Sequence, residues 1–109
     1  MPKVPLPGRP VRGSTTGRPI MAAFDLLGRR WALRILWELR DGPVGFRALQ
    51  QQCGDVSPTV LNTRLSELRE AGLVAQDDDR AHRLTPLGGE LHAALQPLQK
   101  WADRWVREG

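Results

Sequence analysis

One segment of the chain, SPTVLNTRLSELREAGLV at residues 57–74, carries the signals for both ends of a helix and for its buried face. Ser57 is a typical N-cap, and Pro58 suits the first helical position, where a missing N–H costs little. Leucines recur at positions 61, 65 and 68, which is the spacing of one apolar stripe along a helix. Gly72 ends the segment in the manner of a glycine C-cap. The pattern predicts an amphipathic helix over residues 57–71.

The opposite face of this predicted helix is polar and, near its N-terminal end, uncharged. At about 100° per residue, the face comprises Thr59, Asn62, Thr63, Ser66 and Glu70. Short side chains of this kind fit into a DNA major groove and exchange hydrogen bonds with base edges. Arg64 and Arg69 flank the face and are candidates for phosphate contacts. We interpret the segment as a DNA-recognition helix, the alternative being an ordinary surface helix.

The neighbouring segments predict a small, mostly helical domain. Apolar spacing places helices at about 19–27, 30–40 and 46–53, and a long helix from Thr85 to the end of the chain. Pro97 lies inside that last helix and is expected to kink or divide it. Two short strands, at 73–75 and 82–84, follow the capped helix and are joined by a polar turn. A helix-turn-helix followed by a hairpin is the layout of a winged-helix domain.

Charge is distributed unevenly along the chain. The first 18 residues contain no acid and four basic residues, Lys3, Arg9, Arg12 and Arg18. The remaining residues hold 12 basic and 12 acidic residues, so the high pI belongs to the N-terminal segment. We expect a disordered basic tail at 1–17, poor in apolar residues, ahead of one domain at 18–109. The tail is either a solvated leader or a basic arm that reaches along phosphates or into a minor groove.

No pattern in the chain indicates an enzyme, a cofactor or a metal. The two histidines, His82 and His92, lie without a nucleophile at useful spacing, and no phosphate loop, GxSxG or Cys/His cluster occurs. Three consecutive acids at 77–79 rarely converge on one ion. Cys53 is the single cysteine, and we expect it to be a small buried residue rather than a sensor. With no long apolar run, we expect a cytoplasmic protein without a membrane partner, nucleoid-associated when bound to DNA.

The terminal helices carry more apolar surface than one small core can absorb, so we expect a homodimer. The predicted dimer interface comprises Ile20, Phe24, Leu91, Leu95, Leu98, Trp101 and Trp105. The tryptophans either pack in the core and this interface or line a pocket for a small aromatic ligand. That candidate pocket comprises Met21, Phe24, Trp31, Trp37, Trp101 and Trp105.

Three stretches of the chain together resemble HxlR-type transcriptional regulators, which are relatives of the MarR-like winged-helix proteins: AFDLLGRRWALRILWELRDGPVGFRAL, VSPTVLNTRLSELREAGLV and RLTPLG. The resemblance covers about residues 18–106. It implies a homodimeric bacterial DNA-binding regulator, most simply a repressor, whose terminal helices form the dimer. Its recognition helices would meet successive major grooves about 34 Å apart, on a near-palindromic operator. The candidate DNA contacts are Ser57, Thr59, Asn62, Thr63, Arg64, Ser66 and Arg69 on the helix, Arg80 and Arg83 on the hairpin, and Arg47.

Three departures from the family pattern bear on this hypothesis. Arg18 stands where many members carry a cysteine that senses oxidants or electrophiles, so thiol sensing at that position is excluded. The hairpin is shorter than in the family, and its acidic tip at 77–79 would repel phosphates. Val44 and Gly45 replace basic residues that are expected before the third helix, and Arg47 is the candidate substitute. The acidic tip keeps open a second hypothesis, a winged-helix module for protein interaction that has lost DNA binding.

Overall fold

The computed structural model describes residues 18–108, so the predicted basic tail lies outside the described part. These described residues form five helices: α1 (Pro19–Leu27), α2 (Ala32–Glu38), α3 (Phe46–Gln52), α4 (Pro58–Glu70) and α5 (Pro86–Glu108). Strands β1 (Val74–Gln76) and β2 (His82–Leu84) form an antiparallel hairpin between α4 and α5. The predicted fold class, mostly α with a small hairpin in a winged helix-turn-helix arrangement, is confirmed.

The hairpin gains a third backbone partner from the segment before α3. His82 donates its N–H to the carbonyl of Val44 at 2.9 Å, and Val44 donates its own to the carbonyl of His82 at 2.8 Å. Val44 is therefore a single bridge residue beside β2. It ties the turn end of β2 to the segment before α3, so hairpin and helices form one unit.

The core lies where α2, α3 and α4 meet the hairpin. Leu61, Leu65 and Leu68 are each at most 1% exposed, which confirms the predicted apolar stripe of α4. They pack in one cluster with buried residues of α2 and α3, among them Ile35 and Leu49. Because this stripe is fully buried, the opposite face of α4 is directed away from the core.

Two helices differ from the sequence prediction. Helix α2 begins at Ala32 rather than near residue 30, because Trp31 adopts a left-handed backbone conformation, with φ of 78°. Helix α5 is not divided at Pro97 and runs unbroken for 23 residues. A proline removes one backbone hydrogen bond and crowds the preceding turn, but good helix formers such as Leu95 and Gln99 flank it and carry the helix through.

Within residues 18–108, none of the helices has the combination of length and apolarity that crossing a bilayer requires.

Candidate nucleic-acid interface

Local sequence fixes both ends of α4 as predicted. The hydroxyl of Ser57 accepts a hydrogen bond from the N–H of Val60 at 3.2 Å, which caps the first turn. At the other end Gly72 has a φ of 82°, and the N–H of Leu73 donates to the carbonyl of Leu68 at 3.0 Å. This is the pattern of a glycine-terminated helix, in which the left-handed residue reverses the chain direction. Helix α4 is thus held by its own caps and by its leucine stripe.

The polar face of α4 is open to solvent. The side chains that are exposed there include Thr59, Asn62, Thr63 and Ser66, and Ser57 is exposed at the N-cap. Apart from the cap at Ser57, they are short hydroxyl and amide groups with no charge, so a partner can approach them closely and read them by hydrogen bonding. The structure therefore brings together four of the predicted contact residues on one accessible face.

Arg64 lies along the side of α4 instead of extending from the polar face. Its Nε donates to the carbonyl of Arg30 at 2.8 Å, and its Nη1 donates to Glu67 Oε1 at 3.0 Å. Glu67 Oε2 in turn accepts from Arg29, which lies in the turn between α1 and α2. This cluster was not predicted from the sequence. The Arg64–Glu67 pair has a local signal in the sequence, its i,i+3 spacing. Arg29 is 38 residues from Glu67 along the chain, and no local signal connects the two.

Arg69 extends toward the hairpin. Its Nη1 lies 3.0 Å from Nε2 of His82, whose side chain is only 3% exposed. Burial and the neighbouring Arg69 guanidinium lower the pKa of His82 below its ordinary value. Since Arg69 can only donate, Nε2 accepts and the ring proton sits on Nδ1, which has no hydrogen-bond partner among the described residues. His82 is therefore a neutral residue at the start of β2, next to the hairpin turn.

The acids at the tip of the hairpin support the turn itself. Asp77 Oδ1 accepts from Arg83 Nε at 2.7 Å, and Asp79 Oδ1 accepts from the N–H of Ala81 at 3.1 Å. Arg80 is exposed and has a left-handed φ of 70°. Of the two predicted hairpin contacts, Arg83 is thus ion-paired within the turn and Arg80 is accessible. In the described range, no group of three or more His, Cys, Asp or Glu side chains is arranged to hold a metal ion.

Two other predicted residues have clear positions. Arg47 is exposed on α3, the first helix of the helix-turn-helix pair. Cys53 follows α3 and is 1% exposed, and burial raises the pKa of its thiol, so a reactive thiolate is disfavoured there. Cys53 is a core residue, as predicted.

The six candidate pocket residues do not gather in one cavity of a single chain. Trp101 and Trp105 stack on each other along α5 with 5.2 Å between their ring centroids, and the ring centroids of Trp37 and His92 are 6.0 Å apart. A groove of about 310 Å³ lies between α2 and α5 and includes Trp37. A second groove, of about 410 Å³, lies between α1 and the start of α5 and includes none of the six.

The predicted dimer residues form two exposed apolar faces. Ile20 and Phe24 on α1 are 52% and 62% exposed. On α5 the exposed members are Leu98, Trp101 and Trp105, with Trp105 at 62%, whereas Leu91 and Leu95 are half-buried. Large apolar side chains at this exposure on two helices mark an interaction surface.

The comparison with known proteins identifies the family. Residues 26–109 match the family described as HxlR-like helix-turn-helix. The chain belongs to the HxlR-like family. It is 32% identical over 103 residues to the HTH-type transcriptional regulator YodB of Bacillus subtilis strain 168, a match that covers 89% of this chain and 92% of YodB.

Solved structures agree with this HxlR assignment. The crystal structure of quinone-bound YodB aligns with a TM-score of 0.73 at 35% identity, over 78% of this chain and 94% of that one. A protein from Enterococcus faecalis V583 described as a transcriptional regulator of the MarR family aligns with a TM-score of 0.74 at 25% identity, over 90% of this chain and 94% of that one. This HxlR-family chain is therefore a DNA-binding transcriptional regulator, and its relatives are regulators rather than enzymes.

Proposed function

We propose that this regulator is a sequence-specific repressor that acts in the cytoplasm as a homodimer on a near-palindromic operator. The observation that carries the proposal is the exposed polar face of α4, which is uncharged toward its N-terminal end, on a helix that is capped at both ends and anchored by three buried leucines. A rigid helix with short hydrogen-bonding side chains is what base readout in the major groove requires. Two α4 helices in a two-fold dimer would meet half-sites about 34 Å apart.

The candidate contacts divide into two groups by chemistry. Thr59, Asn62, Thr63 and Ser66 would contact base edges, because they are short, polar and exposed. The remaining candidates would contact phosphates: Ser57, Arg47, Arg64, Arg69, Arg80 and Arg83. Arg47 and Arg80 are accessible in the free protein. Arg64, Arg69 and Arg83 have partners within the chain and would contact phosphate only by exchanging them.

Repression follows most simply from this architecture. The described residues are accounted for by the helix-turn-helix, the hairpin and the apolar terminal helices. A dimer of this kind can block a promoter by occupying it, with no further contact to polymerase. A reporter promoter that carries the operator should lose expression when the protein is supplied, and expression that rises would indicate an activator.

The base-readout role is tested by selecting bound DNA from a random duplex pool and then measuring affinity for the selected site. Thr63→Val removes the hydroxyl and keeps the side-chain shape, whereas Thr63→Ser keeps the hydroxyl. If Thr63 hydrogen-bonds a base, only the first change should weaken discrimination at one position, by about 1–3 kcal/mol. Recovery of no common site at low salt would contradict the proposal.

A second candidate function is protein interaction through the winged-helix fold, and the acidic hairpin tip favours it. Asp77, Asp78 and Asp79 would repel a DNA backbone that the hairpin approached. Salt dependence separates the two functions. Phosphate contacts make the affinity for DNA fall steeply and linearly on logarithmic axes as salt rises, whereas a protein-interaction module would show no such dependence for DNA at all.

We also propose that a small aromatic molecule binds against Trp37 in the groove between α2 and α5 and regulates DNA binding. The groove volume of about 310 Å³ and its largely apolar lining suit such a ligand, and the relative YodB has been solved with a quinone bound. Titration calorimetry with methylhydroquinone, which does not alkylate thiols in its reduced form, should give binding by the full-length protein. Trp37→Leu should abolish it, and equal binding by both proteins would exclude this site.

A further inference from the structure

Helix α4 is attached to the rest of the domain by a cluster of charged side chains as well as by its leucines. Each carboxylate oxygen of Glu67 on α4 accepts a hydrogen bond from one guanidinium, Oε2 from Arg29 and Oε1 from Arg64. Arg64 also donates to the backbone carbonyl of Arg30 at 2.8 Å. On the far side Arg29 lies 3.9 Å from Asp25 of α1. The cluster therefore joins α4 to the turn that connects α1 and α2.

The turn that receives these bonds has a restrained backbone. A Cβ on Gly28 would lie 2.8 Å from the carbonyl oxygen of Phe24, so only glycine fits at that point. Trp31 holds a left-handed φ of 78°, which residues other than glycine rarely adopt. Backbone hydrogen bonds hold the turn, since the N–H of Arg29 donates to the carbonyl of Leu26 at 3.3 Å and the N–H of Ala32 donates to the carbonyl of Arg29 at 3.1 Å, so the turn can serve as an attachment point for α4.

The leucine stripe and the charged cluster constrain α4 in different ways. Burial of apolar surface stabilises contact without specifying direction, so three leucines hold the helix against the core but only weakly resist small rotations about its axis. Guanidinium–carboxylate bonds are directional and depend on geometry. Glu67 lies between the buried stripe and the exposed polar face, and its bonds therefore fix the rotation of α4.

The cluster is partly shielded from solvent, which strengthens its hydrogen bonds and ion pairs. The side chains of Arg29 and Glu67 are 11% and 16% exposed, and that of Arg64 is 22% exposed. Ion pairs at such depth are weakly screened by salt compared with surface pairs. Removing the carboxylate would leave two guanidinium groups close together in a partly buried place, and they would move apart.

We propose that Glu67 is a positioning residue for DNA recognition. Through its bond to Arg29 it sets the rotation of α4 against the turn, and so determines which of Thr59, Asn62 and Thr63 meet base edges. Glu67 itself contacts no DNA in this proposal. The inference rests on the proposed function, because it takes α4 as the helix that reads the operator.

The test compares affinities for the selected operator and for an unrelated duplex of equal length, with the full chain and at a temperature where circular dichroism shows every variant folded. Glu67→Gln should lower the ratio of the two affinities about tenfold. The matched control is Glu90→Gln, which removes the same charge from an exposed position on α5, away from the polar face of α4. It should shift both affinities equally and leave the ratio unchanged, which separates positioning from a general gain in attraction to phosphate.

A double-mutant cycle tests whether Glu67 acts through Arg29. Arg29→Gln should lower the ratio as Glu67→Gln does, and the double variant should add little, since both changes break the same bond. If Glu67→Gln does not fold, Arg29→Lys replaces it, because lysine keeps the charge and loses the planar fork. A ratio for these variants within about twofold of the control overturns the inference and leaves the proposed function standing. A wild-type protein that binds both duplexes equally overturns both.

Discussion

The arginines near the proposed DNA surface differ in whether a carboxylate of the same chain is bonded to their guanidinium group. Arg47 and Arg80 are exposed, whereas Arg64 and Arg83 each have a carboxylate partner within 3.0 Å. An arginine already paired must give up that partner before it contacts a phosphate, so its net contribution to affinity is reduced. The accessible arginines are thus on α3 and at the hairpin tip, whereas the paired arginines stabilise the fold.

The buried His82 makes stability depend on pH. Its pKa in the folded protein is lowered, first by burial and then by the Arg69 guanidinium, so the folded state keeps the ring neutral. The unfolded chain protonates it near its ordinary pKa of about 6.5. The contribution of His82 to the free energy of unfolding is therefore fully present above about pH 6.5 and is lost as the pH falls toward the folded-state pKa. Urea unfolding between about pH 7.5 and 5.5, where carboxylates stay ionised, should show the loss.

Variants assign this pH dependence to one ring. His82→Gln should flatten the change in unfolding free energy across the window, because glutamine does not titrate. His92→Gln, which removes the other histidine from α5, should leave the change as it is in the original protein. A pH dependence that follows His92 instead would contradict the assignment to His82 in β2.

At the scale of elements, the start of α5 depends on one glycine of an adjacent pair. A Cβ at Gly88 would lie 2.1 Å from the carbonyl oxygen of Leu73, while a Cβ at Gly89 would meet nothing within 4 Å. Gly88→Ala should therefore cost about 2 kcal/mol or more, since backbone must shift. Gly89→Ala should stabilise by about 0.5–1 kcal/mol through helix propensity. Urea unfolding of the two variants measures both, and equal effects would show that α5 does not pack this closely on the hairpin.

The elements also show how far the sequence determines the fold. Caps and the leucine period predicted α4 at both ends, because those signals are local. The start of α2 was predicted too early, since nothing local reveals that Trp31 takes a left-handed conformation. The candidate DNA-binding site likewise contains features that local sequence patterns predict and features that they do not. Helical periodicity placed Thr59 and Thr63 on the exposed face, but the partner of Glu67 in the α1–α2 turn depends on tertiary packing that no spacing encodes.

At the scale of the whole molecule, the exposed faces of α1 and α5 predict a homodimer. Burying a large apolar side chain contributes about 1.5–3 kcal/mol, and a two-fold interface contains each residue twice. Phe24→Asp should therefore weaken dimerisation by about 3 kcal/mol or more, which is over a hundredfold in Kd. Sedimentation velocity across a dilution series should show the monomer. Ala48→Asp, which adds the same charge on exposed α3, should leave the dimer intact, and a monomeric parent protein would contradict the prediction.

The basic residues ahead of α1 give a prediction that concerns the chain as a whole. Lys3, Arg9 and Arg12 lie outside the described residues, and residues 19–109 carry balanced charge. If the three act as an arm on DNA, replacing all of them by glutamine should lower the slope of log affinity against log salt. The decrease should be about 0.9 for each phosphate that the arm neutralises, which is up to about 5 for a dimer.

The matched control for this arm replaces Lys100, Arg104 and Arg107, which are exposed on α5. It removes the same charge from the terminal helix and should leave the slope unchanged, because that helix is assigned to the dimer. A slope that both triple variants leave unchanged would make the N-terminal segment a solvated leader, and the phosphate contacts would then come from the winged-helix domain itself.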